Sequence, residues 1–224
     1  MSTLSLLQSL AVAAAFSVVS VMTGQAQQLR SVGAFEKIKT SGACDVVLTQ
    51  GSTTEVKVQA DASIEKYIKT EVENGTLVIY REKNAPFQLM NNKKVTVYVT
   101  CPRLTGVETS GASDLKTEST FQADDFTIKA SGASDVTLRL DAKNLTVNAS
   151  GASDVRLAGR VERQQVQISG SSDYRASDLQ SQTANVRASG ASDAYVSVDG
   201  ELSAQASGAS DVHNKGKARS GRQE

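Results

Sequence analysis

Seven aspartates recur along this 224-residue chain at nearly fixed steps, and they are the residues with the clearest capacity for chemistry. Asp45, Asp114, Asp135, Asp154, Asp173, Asp193 and Asp211 each close a five-residue box. Most copies read Ser-Gly-Ala-Ser-Asp, with Ser-Gly-Ser-Ser-Asp from Ser169 and Ser-Gly-Ala-Cys-Asp from Ser41. If the boxes stack, neighbouring carboxylates repel by roughly 1 kcal/mol in water and several times more at a protein surface. One way to offset this is a row of calcium ions, for which Asp114, Asp135, Asp154, Asp173, Asp193 and Asp211 are the candidates. The other is hydrogen bonding from backbone N–H groups of each Asp's own bend, with Lys116, Arg156 and Arg175 as counter-charges. A calcium site wants about 6–8 oxygens, and calcium-binding β-roll repeats carry more glycine at a shorter period, so the hydrogen-bonded reading is preferred.

The remaining reactive side chains form no catalytic constellation. His213 is the single histidine, so no metal-binding His pair exists, and no box serine has a histidine repeated beside it. A hexapeptide-repeat acyltransferase also coils at about eighteen residues, but its six-residue sub-period is missing here. Cys44 and Cys101 are the only cysteines. In an oxidising compartment they could bridge as a disulfide; equally, they fit as two buried small apolar residues.

The elements that position these residues follow from the repeat. The box glycines are Gly42, Gly111, Gly132, Gly151, Gly170, Gly190 and Gly208, and from Gly111 the steps are 21, 19, 19, 20 and 18 residues. Two, four and six residues before the glycine come apolar side chains, as in Leu145, Val147 and Ala149, and again four and six after it, as in Val155 and Leu157. This period of two predicts two short strands per repeat, bent at the box, with one face inward. One repeat cannot stand alone: burying four such side chains contributes roughly 6–12 kcal/mol, whereas ordering about 19 residues costs roughly 19–38 kcal/mol. Stacking must supply the difference. The predicted class is all-β, a parallel β-helix (β-solenoid) of about 19–20 residues per coil, in which glycine permits the corner.

Between Gly42 and Gly111 lies a 69-residue gap, enough for about three more coils or a differently built cap. It holds strand-like runs at 55–59, 76–80 and 95–99, an Asn74-Gly75 hairpin signal, a helical turn over 61–67 with Asp61 as N-cap, and a loop from Arg81 to Asn92. Residues 27–105 are therefore read as irregular capping coils and 106–213 as regular coils of the same domain. The end, 214–224, reads as a disordered basic tail.

Residues 1–26 read as a signal peptide. The run Leu10 to Met22 is apolar and uncharged, too short for a comfortable span, and is followed by Gly24-Gln25-Ala26, with cleavage expected after Ala26. The mature chain is then exported without a membrane span, to periplasm, cell surface or medium. Twenty-four basic and 24 acidic residues leave no net charge and no basic stripe, which argues against nucleic acid. Ten aromatic residues, none of them Trp, give little for stacking on sugars or bases.

The mature start Val32-Gly33-Ala34-Phe35-Glu36-Lys37-Ile38-Lys39, the box from Ser41 running on to Gly51, the segment Ile68 to Leu77 and the serial Ser-Gly boxes together resemble a bacterial family, the putative autotransporter-adhesin head or head GIN domain. The resemblance covers about Val32 to Val212. It implies an exported right-handed parallel β-helix, adhesion by analogy, and no catalytic residues to carry over. The family's more usual corner is Ser-Gly-Ser-Gly-Asp, where this chain has Ala and Ser. The expected function is a non-enzymatic adhesin or envelope structural protein, with an extracellular polymer, a glycan or an envelope protein as partner and no cofactor. The alternatives are a polysaccharide-active β-helix enzyme and a calcium-binding stalk, and exposed coil ends leave room for self-association.

Overall fold

Alternating inward and outward side chains, interrupted by a box every 18–21 residues, produce a stack of parallel coils in the computed structural model, which describes residues 25–86, 93–218 and 220–222. The strands are β1 (Gln25–Arg30), β2 (Lys37–Thr40), β3 (Asp45–Gln50), β4 (Glu55–Asp61), β5 (Ile68–Glu73), β6 (Thr76–Arg81), β7 (Thr96–Cys101) and β8 (Gly106–Thr109), then β9 (Leu115–Ala130), β10 (Asp135–Ala149), β11 (Asp154–Ile168), β12 (Tyr174–Gly190), β13 (Ala194–Gly208), β14 (Val212–Asn214) and β15 (Ser220–Arg222). From β9 to β13 each coil is one strand of 15–17 residues running from box to box, where two short strands were expected. The backbone rounds the second corner without leaving the ladder, so the box is the only true break.

Like residues lie over like in strict register. Val136 faces Val155, Leu138 faces Leu157, and Val147 pairs with both Ile128 and Val166. The inward residues expected from the parity are buried, including Leu145, Val147, Val155 and Leu157, and they form one continuous core along the axis. Differences in coil length are absorbed mainly after the box: the register shifts between Thr137 and Arg139, between Arg156 and Ala158, and between Ala176 and Gln180, with a further shift between Ser181 and Thr183. The first three shifts follow the box by a few residues, so extra residues bulge there, and the fourth falls at the second corner between β12 and β13.

The N-terminal portion differs most from expectation. Coils do not fill the 69-residue gap between the first two boxes. Instead, β2 pairs with both β6 and β8, and β3 with both β7 and β9, all parallel. The first box thus lies directly on the second, and the coil made by β6 and β7 sits outside the one made by β2 and β3. Beyond it the sheet turns antiparallel, β7 to β4 to β1 on one side and β6 to β5 on the other. Antiparallel strands end the stack because their turns, such as Asn74-Gly75 with φ of 48° and 72°, need no further coil. The helical turn shrinks to a 3-10 turn over Glu65–Tyr67, and Asp61 instead accepts the Ser63 N–H at 2.9 Å. Of the expected Arg81–Asn92 loop, 87–92 lie outside the described residues.

A further correction concerns the C-terminal end. The tail 214–224 was expected to be disordered, but among its described residues Asn214 ends β14, which lies on β13 at Ala194–Val196, and β15 lies on β13 at Leu202–Ala204. Asn214 closes this last coil: its Oδ1 accepts the Val198 N–H (2.9 Å), and its Nδ2 donates to the Ala218 carbonyl (2.7 Å). At the other end, Gln25 and Ala26, assigned to the signal peptide, pair with Asp61 and Ala60 in β1. The rest of that segment lies outside the described residues.

Candidate functional site

The box explains itself once two neighbouring coils are considered together. Its glycines form a column in which each amide environment is closed by the coil beside it, as when the Ala152 N–H donates to the Gly132 carbonyl at 2.8 Å. The serine two residues after the glycine has even parity and points inward, a consequence of the spacing that the sequence reading did not draw. Ser113, Ser134, Ser153, Ser172 and Ser192 are fully buried. Their hydroxyls accept backbone N–H groups across the stack: Cys44 to Ser113 at 3.2 Å, Ser153 to Ser172 at 3.3 Å, and Ser192 to Ser210 at 3.1 Å. Backbone donors at a bend have no ladder partner, and these side chains supply one.

The aspartates do the same from outside, with a difference from expectation. Asp45, Asp114, Asp173 and Asp193 each accept the N–H of the next coil's aspartate rather than one from their own bend: Asp114 to Asp45 at 3.3 Å, Asp135 to Asp114 at 3.3 Å, Asp193 to Asp173 at 3.4 Å, and Asp211 to Asp193 at 3.2 Å. The reason is geometric, since the strand carries each bend's own donors away while the neighbouring coil is only about 4.8 Å off. Counter-charge comes from Arg156, on Asp154 at 2.6 Å and Asp135 at 3.3 Å, and from Arg175, on Asp173 at 2.7 Å and Asp154 at 3.7 Å. Lys94 pairs with Asp45 at 3.3 Å, whereas Lys116 makes no ion pair among the described residues. Partial burial, with Asp45 and Asp135 on either side, pushes the Asp114 carboxyl above its ordinary range even though the Asp135 N–H favours the anion. Among the described residues no three carboxylates, thiols or imidazoles converge into a group able to hold a metal ion.

Cys44 and Cys101 are both free and buried, which corrects the disulfide option. Gln50 lies opposite Cys101 in the β3–β7 register, and Cys44, the residue just before β3, is a strand length of about 20 Å from Gln50, far beyond the ~7 Å limit for a bridge. Burial raises both thiols from near 9 to about 11. Neither is therefore expected to react with a maleimide at pH 8 until the chain is unfolded in urea. Because the folded state holds these protons and the unfolded chain releases them near pH 9, their contribution to stability is complete below pH 9 and falls away toward pH 11. A urea midpoint measured at pH 8 and pH 10 should decline accordingly. His213 is exposed and stacks on Tyr195 with ring centroids 4.9 Å apart.

One feature was not legible beforehand. At the second corner a groove of about 750 Å³ runs across the coils from Arg103 to Asp199. It brings together unlike charges from equivalent places in successive coils, among them Asp124, Lys143 and Glu162, and Asp141 and Arg160. Lys143 pairs with Asp124 at 2.7 Å, and that hydrogen bond and charge hold the Asp124 carboxyl below the usual range while raising the Lys143 ammonium.

A solved structure of a putative adhesin from Bacteroides fragilis is similar at 20% identity, with a TM-score of 0.74, over 89% of this chain and 97% of that one. A putative lipid binding protein from Parabacteroides distasonis aligns at 16% identity and TM-score 0.63 over 89% and 98%, and a putative adhesin from Parabacteroides merdae at 17% and 0.63 over 88% and 95%. At these identities the likeness is one of fold. No curated protein matches the chain. The family model described as putative auto-transporter adhesin, head GIN domain, matches residues 34–218, which takes in every box, and the chain belongs to that family.

Proposed function

We propose that this chain is an exported, non-enzymatic adhesion module: a stiff β-solenoid that offers its outer faces to an extracellular polymer or an envelope partner. The observation that carries the reading is the in-register stacking of the boxes, which turns a period in the chain into columns of like side chains on a flat exterior. Such a surface makes many weak, equivalent contacts with a repetitive partner and gains strength from their number. Membership in an adhesin-type family and the absence of a membrane-crossing helix among the described residues support placement at the surface or in the envelope.

The charged groove favours the second reading, a polysaccharide-active enzyme. Hydrolysis of a glycosidic bond needs one carboxyl held protonated, with its pKa raised. Lys143 shifts Asp124 the opposite way, so adhesion is preferred. The deciding experiment applies the mature protein to a panel of glycans and matrix proteins, with and without calcium. Saturable binding without product release is expected, and turnover of any glycan would replace adhesion with the enzyme. Because the six box carboxylates from Asp45 to Asp193 already serve a backbone N–H or an arginine, excess calcium followed by EGTA should move the melting temperature by less than about 1 °C. A larger shift would restore the calcium stalk.

A further inference from the structure

The coil surface that precedes each box differs in chemistry from the rest of the exterior. Its outward positions from Asn144 to Ser207 lie in four columns across β10, β11, β12 and β13, with no register shift between them. Of these sixteen positions only Arg163, Arg187 and Glu201 carry charge. Both arginines are turned onto neighbouring amides, Arg163 to the Asn144 oxygen at 2.8 Å and Arg187 to the Gln205 oxygen at 3.0 Å. The other thirteen positions are all Asn, Gln, Ser or Thr. At the middle of the face Thr146, Gln165, Asn185 and Ser203 stand in one column, with Asn148 and Gln167 beside them. None of these six side chains has a hydrogen-bond partner among the described residues, and Asn148, Gln165, Gln167 and Asn185 are exposed. The box surface, by contrast, is spent on Asp–Arg pairs.

We propose that this face binds a neutral, hydroxyl-rich polysaccharide, held by the grid of free side-chain amides and hydroxyls. The inference rests on the adhesion reading and names its ligand class. Amides and hydroxyls donate and accept alike, as sugar hydroxyls do, whereas a charged polymer would find few counter-charges here. The grid repeats about every 4.8 Å along the axis and about 6.7 Å along each strand, so an extended chain meets equivalent partners many times. Two shallow grooves, of about 420 and 360 Å³, lie along this surface and give the polymer a bed. No aromatic ring lies on the face, so each contact is weak and wet and affinity comes from repetition.

The test is affinity electrophoresis of the mature chain in native gels containing a neutral β-glucan, a neutral mannan or polygalacturonate, at 50 and 500 mM NaCl. Retardation by a neutral polymer, unchanged by salt, is expected. The double variant Gln165→Ala/Asn185→Ala should weaken it at least tenfold with the melting temperature held, while Arg156→Ala/Arg175→Ala on the box surface should leave it intact. Retardation only by polygalacturonate, and only at low salt, would overturn the assignment. So would neutral-polymer binding indifferent to Gln165 and Asn185, although adhesion would then stand with its face misplaced. If no polymer is retarded and the double variant instead abolishes self-association measured by light scattering, the face belongs to a second copy and the proposal fails.

Discussion

Replacing Gly151 by valine should lower the melting temperature by at least about 6–12 °C. The glycine has φ of +83°, and a Cβ there would lie 2.6 Å from the Gly132 carbonyl oxygen, which already accepts the Ala152 N–H. Left-handed backbone costs a β-branched residue roughly 1–3 kcal/mol. The clash adds to it, because backbone on the neighbouring coil cannot move aside as a flexible side chain could. A total of at least about 3 kcal/mol corresponds to a shift of about 6–12 °C for a chain of this length. Two companions separate the contributions. Gly75→Ala meets only the strain, with φ of +72° and no atom within 4 Å, and Gly33→Ala meets neither. Calorimetry should rank them 151, 75, 33 in decreasing effect, and equal melts for Gly151→Val and Gly33→Ala would refute the stacked corner.

A polar chain inside the core supports the second large effect. Tyr174, fully buried, donates its hydroxyl to the Gln164 oxygen at 2.7 Å; the Gln164 amide donates to the Ser181 hydroxyl at 2.7 Å, which in turn donates to the Ser197 carbonyl. Gln164→Leu keeps the volume but strands the tyrosine hydroxyl, and burial holds that hydroxyl protonated, so it cannot be relieved by ionisation. An unsatisfied buried donor costs roughly 1–3 kcal/mol, and a loss of about 2–3 kcal/mol is expected in urea denaturation. Adding Tyr174→Phe removes the stranded group, so the double variant should be more stable than Gln164→Leu alone. A double variant weaker than the single would show that the pair acts through packing instead.

How much could be read in advance depends on whether a feature repeats. The corner glycines, the exterior aspartates and inward residues such as Val147 and Val155 recur at fixed offsets, so one register defines them all. The same parity placed the second box serine inward, but a serine does not announce itself as core, and its role emerges only when the neighbouring coil offers it an N–H. Gln164 and Tyr174 occupy inward slots held by apolar residues in other coils, and that breach of pattern was their one available signal. The second-corner groove was hidden because Asp124, Lys143 and Glu162 fill equivalent places with unlike charges. Coil order was hidden as well: the chain's spacing between Gly42 and Gly111 carries no mark that the two would touch.

That last arrangement governs how the molecule can be made and trimmed. In a solenoid wound strictly in order, deleting the leading segment peels off an outer layer and spares the remainder. Here β2 and β3, although they come early, are sandwiched between a layer formed by β6 and β7 and one begun by β8 and β9. Removing them would excise an interior layer and leave two surfaces that were never shaped to meet. During synthesis, too, the first box must wait for about 35 further residues before β6 can cover one side and for some seventy before the second box can cover the other, so assembly runs inward from partners that arrive later.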